Sequence, residues 1–158
     1  MNINKTNQLE QNSINTNFKA KLIVDAKLAK KLPGIENFRK IAKNIKSADY
    51  IRIRKSMSDR YLPRHDMYMV ITEKVAKLNT TPTSQNSTKH FFGTSSTLLN
   101  KNTSSNNVEV EIMELLNTSL NNLNTKVTAF KEKNPGVIRE NTSFIQNITE
   151  KIKSFLKR

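Results

Sequence analysis

The feature that most constrains this fold is an apolar stripe of helical spacing in the last third of the chain. Its members recur every three or four residues, at Val108, Ile112, Leu115, Leu116, Leu120, Leu123, Val127 and Phe130. The repeat predicts a helix of about six turns whose apolar face must be covered. Charged residues cluster at its two ends, at Glu109, Glu111, Glu114, Lys126, Lys131 and Lys133. Acidic residues at the start and lysines at the end complement the helix dipole.

A second apolar stripe follows a chain break. Asn134, Pro135 and Gly136 are typical of a helix end. Beyond them, apolar residues return at helical spacing, at Phe144, Ile145, Ile148, Ile152, Phe155 and Leu156. Two helices joined by a short break predict a helical hairpin over residues 108–158. This hairpin either covers a sheet or forms a lobe of its own.

The first half of the chain combines strand and helix patterns. Apolar residues alternate with polar ones over residues 18–24, 49–55 and 67–75, which predicts three strands. Asp25 can cap a short helical turn, and residues 35–45 form a basic amphipathic helix. The third predicted strand is apolar on both faces, which suits a central position. The order predicts an α+β fold: a small, mostly antiparallel sheet with one packed helix and a C-terminal helical hairpin.

Composition divides the chain into four predicted regions. Residues 1–16 are polar and Asn-rich, which predicts a disordered tail. Residues 17–78 form the basic α+β core, and residues 108–158 form the hairpin. Between them, residues 79–107 read as a linker rich in Asn, Ser and Thr, in which Phe91 and Phe92 mark a short apolar segment.

Several classes of site are excluded or disfavoured by residue usage. The chain has no cysteine, so it has no disulfide, thiolate metal site or cysteine nucleophile. With only 3 glycines, a glycine-rich phosphate loop is not expected. The two histidines, His65 and His90, lack metal-ligand spacing, and we expect no metal or cofactor. His65 precedes Asp66 and is the candidate for acid–base chemistry.

The sequence predicts a cytoplasmic protein. The first 17 residues lack the apolar core of an export signal. The longest purely aliphatic run is Leu22-Ile23-Val24, which is too short to span a membrane. A chain without cysteine is also compatible with a reducing compartment.

Positive charge is concentrated in one region. The net charge is +14, and residues 18–65 hold 14 Lys or Arg against four Asp or Glu, which leaves +10 there. The candidates for binding a polyanion are Lys19, Lys21, Tyr50, Arg52, Arg54, Lys55, Arg60, Tyr61 and Arg64. Cations beside tyrosines can contact phosphates and stack bases, which favours RNA or DNA as a partner. The alternative is an ordinary solvated sheet face. We expect a non-enzymatic basic binding protein.

An enzymatic alternative comes from a resemblance. The stretch FKAKLIVDAKLAKKLPGIENFRKIAKNIKSADYIRIRKS resembles the opening of RelE/ParE-type toxins: a strand, basic helices, and a strand with tyrosine and arginines. The resemblance implies a ribonuclease that cuts messenger RNA with basic and aromatic residues on the sheet. The candidates would be Arg52, Arg54, Arg64 and His65. About half of the chain lies outside the match.

A third alternative is a protein–protein adaptor. The C-terminal helices could dock a protein partner or a second copy of the chain through their apolar stripe. This interpretation requires Leu116, Leu120 and Leu123 to be exposed in the folded monomer.

Overall fold

The computed structural model describes residues 20–56, 62–79 and 87–139. Within these ranges the chain forms an α+β fold with a four-stranded mixed sheet. The elements in chain order are β1 (Lys21–Val24), α1 (Ala26–Ala29), α2 (Ile35–Asn44), β2 (Tyr50–Ser56), β3 (His65–Lys77), β4 (Thr88–Asn100) and α3 (Ser105–Lys133). The predicted N-terminal tail and the second helix of the predicted hairpin lie outside the described residues.

The sheet has the strand order β1-β2-β3-β4. The pairs β2–β3 and β3–β4 are antiparallel, as predicted, and β1 pairs with β2 in parallel. A parallel pair needs a crossover, which α1 and α2 supply between β1 and β2. β3 is an inner strand, as its two apolar faces indicated.

Both short helices begin close to the predicted positions. The Asp25 side chain accepts a hydrogen bond from the Lys27 backbone N–H at 3.0 Å, so the predicted cap forms and opens the single turn of α1. In α2, Phe38 and Ala42 are buried while Lys40 is exposed. The apolar stripe of α2 therefore faces the core and its cations face solvent.

The long helix α3 covers the sheet. Its apolar stripe buries Ile112, Leu116 and Leu123 against the same core that holds Ile51 and Ile53. The sequence allows this helix either to cover the sheet or to form a separate lobe. In the structure α3 packs on β3 and β4, so it covers the sheet. The helix ends at Lys133, beside the predicted break. None of the helices in the described ranges is long and apolar enough to cross a membrane.

The backbone of α3 approaches the sheet closely at Gly93. A Cβ at this position would overlap the backbone carbonyl of Ser119 and lie 2.7 Å from the backbone nitrogen of Leu123. The Ser119 hydroxyl donates to the Gly93 carbonyl at 2.9 Å, and the Thr72 hydroxyl donates to the Ser119 carbonyl at 3.0 Å. Thr72 and Ser119 are fully buried, and these bonds satisfy their polar groups.

The strand β4 differs most from the sequence-based expectation. Residues 79–107 were predicted to be a linker with a short apolar segment, yet 13 of them form β4. The pattern is misleading because Thr94 and Ser96 face solvent, while the opposite face presents Gly93 and Ser95 to α3. A strand with such small residues beneath a helix carries little hydrophobic signal.

The outer edge of β4 is engaged by side chains from α3. Lys126 donates to the carbonyl of Phe92 at 2.7 Å, and Asn122 donates to the carbonyl of Thr94 at 3.0 Å. These two helix side chains thus take the place that a neighbouring strand would occupy.

Candidate functional site

The two faces of the sheet differ sharply in their surroundings. Ile51 and Ile53 are fully buried on the face that the helices cover. Tyr50, Arg52 and Arg54 alternate with them and point to the opposite side, which we call the outer face. In the described ranges all three helices bury their apolar residues on the Ile51 side, so none of them covers the outer face.

Three cations and one tyrosine lie together on the outer face of β1 and β2. Lys21 is paired with Tyr50 across the strands, and Arg52 and Arg54 follow at alternate positions of β2. Lys21 and Arg54 are exposed, and Arg52 is half-buried. The Arg52 guanidinium carbon lies 5.7 Å from the centre of the Tyr50 ring, a cation–π distance. We call Lys21, Tyr50, Arg52 and Arg54 the cation cluster.

Arg52 differs from the other two cations because a buried carboxylate holds it. Its Nη1 lies 2.8 Å from Oε2 of Glu73, whose side chain is only 7% exposed. The other carboxylate oxygen, Oε1, lies 2.7 Å from Nδ1 of His90. Glu73 therefore links β2 to β4 through two charge-assisted contacts, and it compensates the charge of Arg52.

Sequence reasoning did not identify Glu73 and His90 as part of this arrangement. Arg52 precedes Glu73 by 21 residues and His90 follows it by 17. Only the register of three strands brings them together, with Tyr50 opposite Glu73 and Glu73 opposite Phe92. No short-range pattern in the sequence carries that information.

Lys55 is separated from the cation cluster. It follows Ile53 at an alternate position and so belongs to the helix-covered side, where its Nζ lies 2.7 Å from Oδ2 of Asp66. The hydrogen bond to Asp66 raises the pKa of Lys55, although burial acts in the opposite direction. Burial raises the pKa of the neighbouring Tyr68 hydroxyl. The structure assigns Lys55 to an ion pair within the fold.

The remaining candidates fall elsewhere or outside the described residues. Arg64 is exposed in the turn before β3. Lys19, Arg60 and Tyr61 lie outside the described residues.

His65, the candidate for acid–base chemistry, is not paired with the adjacent Asp66 in the structure. Successive residues of β3 point to opposite faces, and Asp66 pairs with Lys55 on the helix-covered side. Within the described part of the chain, Nδ1 of His65 is buried and has no hydrogen-bond partner. His65 also lies four residues along β3 from Met69, the cross-strand partner of Arg54, a distance of about 13 Å.

Beside the cation cluster, several apolar side chains of β3 and β4 lie on the outer face, with Thr94 and Ser96 between those of β4. Met67, Met69 and Ile71 occupy alternate positions of β3 and are half-buried. On β4, Leu98 is 49% exposed and Phe92 is 41% exposed. Met67 and Leu98 are direct cross-strand partners. We call these five residues the apolar band. The alternation of β3 indicated that both faces were apolar, but the contribution of β4 was missed.

The comparisons with known proteins give no relative for this arrangement. No protein-family model matches the chain, no curated protein matches its sequence, and no solved structure matches its fold.

Proposed function

We propose that the chain binds single-stranded nucleic acid through the cation cluster on β1 and β2. The observation that carries this proposal is the exposure of Lys21 and Arg54 on adjacent strands of the outer face. Within the described ranges neither side chain forms an ion pair, so both charges are available to phosphate. Cations spaced along a strand suit the repeated charges of a nucleic-acid backbone.

Arg52 and Tyr50 support a different contact. Glu73 fixes the Arg52 guanidinium above the Tyr50 ring, 5.7 Å from its centre. A planar guanidinium held in one orientation offers a surface on which an unpaired base can stack. Since Glu73 compensates its charge, Arg52 contributes orientation more than net attraction. Lys21 and Arg54 would supply the attraction.

The test is salt-dependent binding of a fluorescently labelled single-stranded oligonucleotide, measured by anisotropy with the full chain. We expect affinity to fall steeply with salt, because bound phosphates release counterions. Arg54→Ala should weaken binding for every sequence and lower the slope of log K against log salt by about 1.

The matched control is Arg39→Ala. Arg39 is an exposed arginine on α2 that pairs with Glu36, and it lies away from the outer face. If Arg39→Ala weakens binding as much as Arg54→Ala does, the charge of the region acts without a defined site. If the chain does not bind oligonucleotide near physiological salt, the proposal is wrong.

The ribonuclease alternative remains a prediction with its own test. Arg54 and His65 are about 13 Å apart along the outer face by strand register. A nuclease built on this face would therefore need a substrate that spans both positions. Growth arrest on expression that Arg54→Ala relieves would favour it, and harmless overexpression would argue against it.

The adaptor alternative loses the surface on which it depended. Leu116 and Leu123 are buried, and Leu120 is half-buried against the same core. The apolar stripe of α3 is used inside the monomer and is not free to dock a partner.

A further inference from the structure

We propose that His90 and Phe92 form a second nucleotide-binding position on β4, in which protonated His90 contacts a phosphate and Phe92 stacks on the attached base. This inference rests on the proposed function, because it extends the path of the bound strand from the cation cluster across the sheet. Three observations carry it: the contact that orients His90, the neighbouring rings of His90 and Phe92, and the charges around them.

A buried carboxylate fixes the orientation of the His90 ring. Nδ1 of His90 lies 2.7 Å from Oε1 of Glu73, whose side chain is only 7% exposed. An ionised carboxylate only accepts hydrogen bonds, so Nδ1 carries a proton and donates to Glu73. The His90 side chain is 49% exposed. Its other ring nitrogen, Nε2, is therefore the atom that takes up a proton from solvent and that a ligand can contact.

Protonation of His90 changes the net charge of the group that Glu73 holds together. Glu73 contacts Arg52 through Oε2 and His90 through Oε1. With His90 neutral, the charges of Arg52 and Glu73 cancel. With His90 protonated, two cations against one carboxylate leave a net charge of +1. The charge of a histidine ordinarily changes between about pH 5 and pH 8, so this group attracts a phosphate more strongly at the acidic end of that range.

The other charges around His90 favour an anion. Lys77 is exposed on the same face of β3 as Glu73 and lies diagonally across from His90, whose direct partner is Val75. The carboxylate of Asp49, which reaches the backbone of Val75, is paired with Lys74 at 3.1 Å. The remaining charged groups near this end of the sheet are the cations Arg52, Lys126 and Arg139. Both carboxylates are thus compensated, and Lys77 adds to the attraction for phosphate.

The rings of His90 and Phe92 lie side by side on the outer face. Their centres are 6.3 Å apart and their planes differ by 19°. Phe92 is 41% exposed, although phenylalanine is usually buried. An exposed aromatic ring beside a cation can stack on an unpaired base while the cation contacts the backbone. Since base and phosphate are attached to the same sugar, one nucleotide can contact both side chains.

The sheet register connects this position to the cation cluster. Tyr50, Glu73 and Phe92 lie in one row across β2, β3 and β4. Two strand spacings separate Tyr50 from Phe92, which is about 10 Å. A short single strand that lies across the sheet can therefore contact Lys21 and Tyr50 at one end and Phe92 at the other.

The first experiment measures how pH changes binding of the full chain to a labelled oligothymidylate, whose bases do not titrate in this range. Anisotropy gives the affinity over a salt series at about pH 5.5 and about pH 8. We expect tighter binding at the lower pH, with a slope of log K against log salt that is larger by about 1, because one more phosphate is neutralised. His90→Gln keeps a donor for Glu73 but cannot gain charge, so it should abolish this difference in slope.

The matched control is His65→Gln, since His65 is the other histidine of the chain. His65 lies ten residues along β3 from Val75, the cross-strand partner of His90, a distance of about 33 Å. The control should keep the difference in slope. Circular dichroism at both pH values verifies that each variant is folded. If the pH dependence survives in His90→Gln, or disappears in His65→Gln, the proposal is wrong.

The second experiment tests the stacking contact. Phe92→Leu keeps an apolar side chain and removes the ring, so we expect the affinity to fall by about 5-fold or more with an unchanged salt slope. The control is Leu98→Ala in the apolar band, since Leu98 is 49% exposed on the same face of β4. It should leave the affinity unchanged, and an equal loss in both variants would contradict a stacking site at Phe92.

An oligonucleotide without bases separates stacking from a structural effect. It should bind the unmodified chain and Phe92→Leu equally well, because only the contact to the base has been removed. Weaker binding of this backbone to Phe92→Leu would assign Phe92 a structural role and overturn the proposal.

The outcomes distinguish this inference from the proposed function. If oligothymidylate does not bind at either pH, both are wrong. If Arg54→Ala weakens binding while His90→Gln and Phe92→Leu have no effect, the second position alone is wrong. If His90→Gln and Phe92→Leu have the expected effects while Arg54→Ala has none, the strand lies on β4 and the cation cluster is not its binding site.

Discussion

Two arginines that the sequence cannot distinguish have different roles in the structure. Arg52 and Arg54 are two residues apart on β2 and share the outer face, as their alternation with Ile51 and Ile53 predicts. Arg52 contacts the buried Glu73, whereas Arg54 is exposed. The face was predictable because period two is a local property. The partner was not, because it comes from a strand 21 residues later.

This difference predicts opposite profiles for the two alanine variants. Arg52→Ala leaves the buried Glu73 with one contact fewer, so we expect the free energy of unfolding to fall by about 1–3 kcal/mol. Arg54→Ala should change it by less than about 0.5 kcal/mol, because an exposed side chain is removed. Urea unfolding of both variants checks this. Equal destabilisation would mean that the Arg52–Glu73 contact does not contribute to stability.

The Lys55 and Tyr68 pair predicts a loss of stability in alkali. A raised pKa of Lys55 in the folded state gives stability that is complete at lower pH and lost as pH rises through that pKa. Burial of the Tyr68 hydroxyl acts in the same direction, since the unfolded chain releases this proton first. The Tm should therefore fall above about pH 10. Tyr68→Phe should make the fall less steep, and an identical slope in that variant would contradict the assignment.

At the scale of elements, the sequence predicts a helix or strand whose hydrophobic periodicity is strong, and it does not predict one whose periodicity is weak. The residues of α3 carry a long apolar stripe, and the helix runs close to its predicted span. The sequence of β4 instead predicts a linker, because its covered face uses Gly93 and Ser95 where strands usually have large apolar residues. A small residue there is required by the approach of α3, which is a tertiary property.

That close approach makes Gly93 the most sensitive glycine of the described chain. We expect Gly93→Ala to cost about 3 kcal/mol or more, because the new methyl group overlaps the backbone of α3, which cannot move as a side chain would. Gly136→Ala is the control: it has open space but a φ of 73°, and it should cost about 1 kcal/mol. The free energies of unfolding of the two variants, measured by urea denaturation, test this difference. Similar costs would mean that α3 can shift away from β4.

For the whole molecule, the dominant property is an uneven positive charge. The net charge is +14 and most of the excess lies in residues 18–65. The total is read directly from the sequence, whereas its distribution over two sides of the sheet depends on the fold. The basic residues of α2 lie on the helical side, and the cation cluster lies on the outer face. Repulsion within this region opposes the compact state.

Salt should therefore stabilise the folded chain. Raising ionic strength from about 10 mM to about 150 mM shortens the screening length to about 8 Å, and we expect the Tm to rise. Lys40→Gln removes an exposed charge from α2 and should raise the Tm at low salt more than at high salt. Thermal melts across a salt series measure both effects. A Tm that falls with salt would show that favourable ion pairs outweigh the repulsion.

The side chains along the edge of β4 have a consequence for self-association. Exposed strand edges are where sheets from different molecules join. A strand arriving next to Phe92 and Thr94 would first have to expel Lys126 and Asn122 from their carbonyls and then bring its own backbone up to a lysine. Addition of a strand is therefore obstructed along β4, and in the described ranges the opposite edge of the sheet consists of the four residues of β1. The helix α3, which covers the core, therefore also hinders the edge-to-edge association of sheets from different molecules.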